Sequence, residues 1–367
     1  MTSAAQTRAS LWACATHIRG LFEQAGAMPV DCDILQPAET LLDLYGEDIR
    51  TRAYVTADPT RGEVMLRPDF TVPVVQRHMA GGATPARYTY AGPVFRRQEA
   101  DPNRRSEFLQ VGYELFDGHD PADADAEVFA MIRSALGGLS LRASTGDLSI
   151  LSAAVDGLRT TAPRKAALLR HLWRPARFRD LLDRYAGRRA VPPSRLALLA
   201  ADAPMDHGFA DIGLRSQTEV AARIDALRQD AAAPTISTEE LGLLDALLRV
   251  QETCTAALGQ LQAIAVDLPA ISDAVDRFAR RCDAMAARGV PVEDIGFEAS
   301  YGRTTMEYYG GFVFGFADPT RPDLPAVATG GRYDALCARL GSGGAGMPAV
   351  GGVIRPDSLL ALNGETP

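Results

Sequence analysis

The sequence predicts an α+β protein, with an antiparallel sheet domain interrupted by a helical segment. Short segments with the alternation of strands, separated by turn residues, occur before residue 160 and return after residue 265. The stretch between them is rich in Ala, Leu and Arg at helical spacing. At 367 residues the chain is long enough for two structural units. We therefore predict a sheet domain formed by residues 1–160 and 266–362, flanked by helices, and a helical insertion over residues 161–265.

The first elements are a helix, an extended segment and a hairpin. Helical periodicity over residues 7–25 ends near Gly26, and the extended segment that follows contains Pro37, which disfavours a central strand. The stretch YVTADPTRGEVMLRPD has Asp-Pro and Arg-Gly turn signals and predicts a hairpin. Residues 71–80 have helical character.

The next elements are a second hairpin and a capped helix. The segment GPVFRRQEADPNRRSEFLQVGYELF, residues 92–116, reads as two strands joined by an arginine-rich loop. Asp120 and Pro121 then start a helix, which Gly137 and Gly138 end. LSLRASTGDLSIL continues the mixed pattern of strand and helix.

Few strand signals occur between residues 163 and 265. Ser237 and Glu240 form a capping box in front of an apolar helical run. Strand signals return at VPVEDIGFEAS and GGFVFGFA, which complete the sheet domain.

Composition excludes several functional classes. A net charge of −8 disfavours a nucleic-acid-binding protein. The five cysteines are scattered and no H-E-x-x-H motif occurs, so we predict no metal site and no cofactor. Lys165 is the only lysine, in a stretch with no catalytic neighbours. No apolar run approaches the roughly 20 residues that span a bilayer, and no signal peptide is recognisable. We therefore expect a cytoplasmic protein.

The second strand of the arginine-rich hairpin predicts a pocket floor. Side chains alternate between the two faces of a strand, so Leu109, Val111, Tyr113 and Leu115 share one face, which suits the core. The opposite face carries Phe108, Gln110, Gly112, Glu114 and Phe116. A carboxylate and an amide on either side of Gly112, which leaves room for a ligand, suit the floor of a ligand pocket, although an ordinary exposed face remains an alternative.

Arg96, on the first strand, can lie beside the row of Gln110 and Glu114 if the hairpin pairs about its loop. There it could bind a carboxylate or a phosphate through two hydrogen bonds. An ion pair with Glu107 or Glu99 is the alternative.

Three further stretches carry candidate residues. LRPDFT places Asp69 and Thr71 on one side of a strand or at its end. Tyr308 and Tyr309 precede the paired glycines Gly310 and Gly311, which lead into an aromatic-rich strand. TGGRYD is a glycine turn that presents Arg332. Each stretch is weak alone, but their order along the chain is specific.

From residue 8 to about residue 360, these motifs resemble the catalytic domain of histidyl-tRNA synthetases, which have the class II aminoacyl-tRNA synthetase fold. LRPDFT is similar to that family's LRPEgT, and MEYYGGFVF to its LdYYtGtvFE. The arginine-rich hairpin is similar to FRxERPQxGRyReFhQxGvE, and GGRYDAL to the family's motif of the same sequence. The extended stretch that ends at Pro37 lies where class II motif 1 is expected.

The resemblance implies a pocket for histidine. Asp69 and Thr71 would contact the ammonium group, with Gln110 close by. Glu114 and Tyr308 would bind the imidazole, and Tyr309 would line the pocket. Arg96 would face the carboxylate. Gly112, Gly310, Gly311 and Arg332 would contribute backbone or loop to the same pocket.

The departures from the family's pattern concern its ATP site. Gln98 replaces the motif 2 glutamate that contacts adenine, and Ser358 replaces the motif 3 arginine. Thr304 stands at the catalytic arginine of RGLDYY, with Arg303 one residue away. Arg355 precedes Ser358 by three positions, and we expect Pro356 to disturb the helix that follows motif 3. Amino-acid activation depends on such cations, so we expect the histidine half of the site without a working ATP half.

We also expect no anticodon-binding domain of the kind that histidyl-tRNA synthetases carry after motif 3. In all these features the sequence resembles the regulatory subunits of short-form ATP phosphoribosyltransferase. That resemblance implies a non-catalytic partner of a separate catalytic subunit, a dimer within a hetero-octamer, and histidine as the feedback ligand. It implies no nucleic acid and no membrane. The alternative is a divergent histidyl-tRNA synthetase or a related amino-acid-activating enzyme. The roles of Arg104 and Arg105 stay open.

Overall fold

A computed structural model describes residues 2–45, 49–97, 105–205, 215–303, 308–341 and 346–362. Two sheets organise the chain. The larger has nine strands in the order β1-β5-β6-β12-β11-β10-β7-β9-β8, and the smaller has three in the order β2-β4-β3. The pairs β1–β5 and β7–β9 are parallel and the other pairs of the large sheet are antiparallel. The predicted α+β class with a mainly antiparallel sheet is confirmed.

The described residues form twelve strands, of which β5 and β6 are the longest at ten residues each. Their bounds are β1 Met28–Pro29, β2 Leu35–Pro37, β3 Val55–Asp58, β4 Gly62–Leu66, β5 Ala86–Phe95, β6 Glu107–Phe116, β7 Arg142–Asp147, β8 Gln251–Thr253, β9 Gly296–Glu298, β10 Phe312–Ala317, β11 Ala328–Arg332 and β12 Ala349–Ile354.

The described ranges contain fifteen α-helices. Their bounds are α1 Thr2–Gln24, α2 Ala38–Tyr45, α3 Ile49–Arg52, α4 Thr71–Met79, α5 Pro121–Ala135, α6 Leu148–Gly157, α7 Ala162–Arg170, α8 Pro175–Tyr185, α9 Pro193–Ala200, α10 Gln217–Ala232, α11 Thr238–Leu248, α12 Cys254–Asp267, α13 Ser272–Ala287, α14 Asp334–Leu340 and α15 Pro356–Leu362.

One face of the large sheet carries the main hydrophobic core. Helices α1 and α5 pack on this face, and α13 packs on α5. The inward residues of β6 are Leu109, Val111, Tyr113 and Leu115, as their alternation predicts. The opposite face carries a second cluster built on α4, α14 and the small sheet. The pocket described below lies on that second face.

Several local predictions are confirmed. Pro37 lies in an edge strand of the small sheet, and β3 and β4 form the predicted hairpin. The side chain of Asp120 caps α5 through the amide of Ala122 at 3.0 Å, and Ser237 and Glu240 complete their capping box.

Within residues 162–267, the described residues form six helices and one three-residue strand. Helices α7, α8, α11 and α12 bury side chains in the same hydrophobic cluster as α1 and α5. The helices of this stretch are therefore anchored on the sheet domain, and their division into a separate insertion stays a prediction.

Pro356 does not disturb the helix after motif 3. It is the first residue of α15, a position where the missing amide hydrogen costs nothing and the fixed φ suits the helix. That expectation was therefore wrong. Over the part of the chain that the structure describes, no helix combines the length and the hydropathy needed to cross a membrane.

Candidate functional site: a pocket around a buried carboxyl group

The pairing of β5 with β6 fixes which side chains face the pocket. Glu114 lies opposite Tyr88, Gly112 opposite Tyr90, and Gln110 opposite Gly92. Because alternate residues share a face, Gln110, Gly112 and Glu114 lie on the face opposite the main core. The predicted alternation of this strand is confirmed.

Glu114 is the centre of the pocket and is only 1% exposed. One carboxyl oxygen, Oε1, accepts hydrogen bonds from Tyr90 at 2.9 Å and from Thr71 at 3.3 Å. The other, Oε2, accepts one from Tyr333 at 2.6 Å. Three hydroxyl groups from three different elements therefore hold this carboxyl group in one orientation.

Burial raises the pKa of Glu114 to about 7, because removal from water disfavours the charged form. The hydrogen bonds from Tyr333, Tyr90 and Thr71 lower the pKa again but do not offset burial, and Asp69 raises it further by repulsion. A buried carboxyl group whose pKa is shifted to near neutral pH is a candidate functional group.

Gly112 makes room for a tyrosine of the protein itself. A Cβ at this position would overlap the phenol of Tyr90 from the facing strand. Tyr90 also stacks on Phe70, with ring centroids 4.2 Å apart and an interplanar angle of 10°. The idea that Gly112 leaves space for a ligand is therefore wrong, because the Tyr90 ring fills that space and brings its hydroxyl group to Glu114.

Asp69 and Thr71 lie just after the end of β4. Asp69 is in the connection to α4, and Thr71 is the first residue of that helix. Both are buried, with exposures of 4% and 5%. Thr71 links two candidates, since it donates to Glu114 and accepts from the hydroxyl group of Tyr308 at 3.5 Å.

Tyr308 and Tyr309 approach the pocket from the residues before β10. Their rings are inclined by 71°, with centroids 4.9 Å apart, and Tyr309 is 8% exposed. Burial raises the pKa of Tyr309, and the nearby Glu114 and Asp69 raise it further. Gly311 is buried, whereas a Cβ on Gly310 would meet open space.

Gln110 and Arg96 lie on the same face as Glu114. Gln110 is 1% exposed, and its Oε1 has no hydrogen-bond partner within the described residues. Arg96 donates from Nε to the carbonyl of Pro68 at 2.8 Å, and its guanidinium lies 5.7 Å from the centre of the Phe108 ring. In the described ranges no ion pair joins Arg96 to Glu107, and Glu99 lies outside those ranges.

Arg332 lies in β11, not in a turn, and it does not face the pocket. Its guanidinium pairs with Asp125 at 2.7 Å and donates to the carbonyl of Pro121 at 2.9 Å. Asp125 also pairs with Arg281 at 3.2 Å, and Arg281 with Asp147 at 2.9 Å. These four buried residues form an ion-pair cluster behind the sheet. The glycine-turn interpretation is wrong because Gly330 and Gly331 pair with both neighbouring strands.

The residues that depart from the synthetase pattern have other roles in the fold. Ser358 is 3% exposed inside α15. Arg303 is also buried, where its Nε donates to the carbonyl of Leu172 at 2.8 Å and its guanidinium lies 4.8 Å from the Phe178 ring. Burial lowers the pKa of Arg303 to about 10. Arg303 therefore anchors the helical segment and does not replace the missing catalytic arginine.

Arg355 brings a second cation to the Phe108 ring. Its guanidinium lies 5.3 Å from the centre of the Phe108 ring, which Arg96 also contacts. Arg105 is exposed. Gln98, Arg104 and Thr304 lie outside the described residues.

Sequence reasoning missed three residues that hold Glu114. Tyr90 lies across the ladder from Gly112, and Tyr333 follows Arg332 in the same motif. Gly351 pairs with Glu114 and leaves the space that its carboxyl group occupies. The glycine pair in AVGGVI was a usable signal, since glycine within a strand indicates the close approach of another group.

The chain was compared with known families, curated proteins and solved structures. The histidyl-tRNA synthetase family model matches residues 5–359. The ATP phosphoribosyltransferase regulatory subunit of Brucella anthropi is 32% identical, over 95% of this chain and 96% of its own length. The protein of the same name from Brucella canis is 33% identical, over 92% of this chain and 93% of its own.

Solved structures agree in fold. A protein described as an ATP phosphoribosyltransferase regulatory subunit/histidyl-tRNA synthetase, from Bacillus halodurans, has a TM-score of 0.68 at 20% identity, covering 96% of this chain and 79% of that chain. A histidine–tRNA ligase subunit from Alicyclobacillus acidocaldarius has a TM-score of 0.60 at 24% identity, covering 97% and 93%. With the curated relatives similar over nearly their whole length, this chain belongs to the ATP phosphoribosyltransferase regulatory subunit family, whose fold is that of the histidyl-tRNA synthetases.

Proposed function

We propose that this chain is the non-catalytic regulatory subunit of a short-form ATP phosphoribosyltransferase. In this role it activates a separate catalytic subunit, which joins ATP to phosphoribosyl pyrophosphate in the first step of histidine biosynthesis, and it confers feedback inhibition by histidine. The observation that carries the proposal is the similarity of 32–33% over more than nine-tenths of the chain to proteins named as such subunits.

The pocket around Glu114 supports histidine as the ligand. Asp69 and Glu114 are buried carboxyl groups on the same side of the sheet, and they suit the ammonium group and the imidazole. Gln110 offers a buried amide oxygen to the ammonium group. Arg96, whose guanidinium lies 5.7 Å from the centre of the Phe108 ring, suits the carboxylate. Thr71, Tyr308 and Tyr309 complete the proposed contacts.

The former ATP side supports a role without catalysis. Activation of an amino acid relies on cations that stabilise the charge of the transferring phosphate. Arg303 is held in the interior by Leu172 and Phe178, and the motif 3 arginine is replaced by the buried Ser358. Arg96 and Arg355 still place two cations at Phe108. Because cations of this kind stabilise a transferring phosphate, adenylate formation by this chain should be assayed directly.

Regulation then depends on the difference in histidine affinity between two arrangements of the complex. Histidine shifts the complex toward an inhibited arrangement only as far as it binds that arrangement more tightly, which is typically worth about 1–3 kcal/mol. The assembly that we propose is a dimer of this chain within a hetero-octamer, with no nucleic acid and no membrane as partners.

Reconstitution with a short-form catalytic subunit tests the proposal. That subunit alone, this chain alone and the mixture are assayed for phosphoribosyl transfer, with and without histidine. We expect activity only in the mixture and inhibition by histidine. Absence of rescue with a co-purifying partner would overturn the proposal. Histidine-dependent ATP–pyrophosphate exchange by this chain alone would favour a synthetase.

A further inference from the structure

The hydrogen bonds around Glu114 determine which charge form of a ligand fits. A tyrosine or threonine hydroxyl group has a single hydrogen. Tyr90, Tyr333 and Thr71 each direct that hydrogen to the carboxyl group of Glu114. The surroundings are therefore arranged for an acceptor-only group, which is the ionised carboxylate.

This carboxylate lacks the charge that would offset its burial. Over the described ranges, no arginine or lysine forms an ion pair with Glu114, and Asp69 adds a second negative charge nearby. A buried anion held only by neutral donors is costly, because hydrogen bonds recover part of the lost hydration and no more. A cation in the pocket would recover much of the rest.

We propose that the pocket selects the imidazolium form of its ligand, so that the protonated ring supplies the cation missing beside Glu114. This inference rests on the proposed function, in which the ligand is histidine. The ionised carboxylate has roughly four acceptor positions, and Oε2 accepts only the hydrogen bond from Tyr333 among the described residues. A charged N–H donor on this oxygen gives a hydrogen bond about twice as strong as a neutral one.

The tyrosines and the thiol around Glu114 stay protonated near neutral pH. Burial raises the pKa of the Cys337 thiol to about 12, and it raises the pKa of all three tyrosines. The groups that face Glu114 from the surrounding elements are Asp69, Tyr90, Tyr309, Tyr333 and Cys337.

A proton balance follows from this selection. Free imidazole side chains have a pKa of about 6.5, and that of Glu114 in the empty pocket is about 7. At pH 8 the empty site is ionised and the free ligand neutral, so formation of the imidazolium–carboxylate pair takes up close to one proton. At pH 5.5 the ligand is already charged and Glu114 is protonated, so binding releases a proton.

Calorimetry measures this balance directly. Histidine is titrated at pH 8 in buffers of different ionisation enthalpy, and the slope gives the protons taken up per ligand. We expect a value near one, and an affinity that is highest between about pH 6.5 and 7 and falls about tenfold per pH unit above that range. Triazolylalanine, which has the same ammonium and carboxylate but a ring that stays neutral, should bind more weakly with no uptake.

Variants separate the possible outcomes. Glu114→Gln should abolish proton uptake. Tyr333→Phe should raise the pKa of Glu114, so the affinity should begin to fall at a higher pH on the acidic side of the profile. Tyr185→Phe, in α8 and away from the pocket, should leave both unchanged. Histidine binding with no proton uptake in the native protein would overturn this inference alone. Failure of the native protein to bind histidine at any pH would overturn histidine as its ligand.

Discussion

The carboxyl group of Glu114 occupies the space where Gly351 would carry a Cβ. The two residues are directly paired in the β6–β12 ladder, and a Cβ on Gly351 would overlap Oε2 of Glu114. The same oxygen accepts the 2.6 Å hydrogen bond from Tyr333. The orientation of the Glu114 carboxyl group therefore depends on the lack of a side chain at Gly351 as much as on the hydroxyl groups that contact it.

Replacement of Gly351 by alanine should disable the pocket. The new methyl group must push the Glu114 side chain away from Tyr333, and overpacking of this kind typically costs about 1–3 kcal/mol. We expect histidine binding to be lost in calorimetry and the free energy of unfolding to fall. Gly242→Ala is the matched control, since it lies exposed in α11 with open space around its Cβ. The free energy of unfolding of Gly242→Ala should rise by up to about 1 kcal/mol. Normal histidine affinity in Gly351→Ala would contradict this account of the pocket.

The ionisation of Glu114 should make the stability of the free protein depend on pH. The pKa of Glu114 is about 7 in the folded protein and 4.5 in the unfolded chain, so the folded protein binds the proton on Glu114 more tightly. Its contribution to stability is complete below about pH 4.5 and is lost as the pH rises through 7, by roughly 3 kcal/mol in total. Chemical denaturation from pH 4.5 to 8 should show this loss in the native protein relative to Glu114→Gln. Parallel curves for the two proteins would exclude it.

Arg332 should be important for stability and not for direct ligand contact. Arg332→Met removes one of the two cations that hold the buried Asp125, and breaking such a pair costs about 3–5 kcal/mol. We expect a large shift of the denaturation midpoint. Arg321→Met, which breaks an exposed pair with Asp323, should leave the midpoint unchanged. If Arg332→Met is as stable as the native protein but no longer binds histidine, the residue belongs to the pocket after all.

Arg303 should hold helices α7 and α8 against the sheet domain. Arg303→Met removes the hydrogen bond to Leu172 and the contact with the Phe178 ring, at a cost of about 1–3 kcal/mol. Hydrogen exchange followed by mass spectrometry should show faster exchange in both helices. Arg177→Met, an exposed position on α8, is the control and should exchange like the native protein. Unchanged exchange in the Arg303 variant would show that other contacts anchor these helices.

Much of the site could be predicted because strand alternation is a local property. The sequence alone placed Gln110 and Glu114 on one face of β6 and the apolar residues on the other. It could not show what covers Gly112, because Tyr90 reaches it through a strand pairing that depends on the register of the hairpin. Arg332 was misassigned for a similar reason. Its partner Asp125 is more than 200 residues away, and no local pattern reports such a contact.

The start of α15 illustrates the other type of error. A proline was taken as a helix breaker, although its effect depends on its position within the helix. Pro356 is the first residue of α15, where proline is favoured. The exact start of a helix is among the features least accessible to sequence patterns, so the sign of the effect could not be predicted.

The glycines of β11 and β12 limit which amino-acid substitutions the protein can accept. Gly330 pairs with Gly352 and Gly331 with Gly351, so four adjacent positions in the sheet have no side chain. Glu114 and Tyr309 lie over these positions on one side, and Ile132 and Phe314 on the other. In a saturation-mutagenesis screen, these four codons should tolerate almost no replacement, and the intolerance would be stronger than at the ligand contacts themselves.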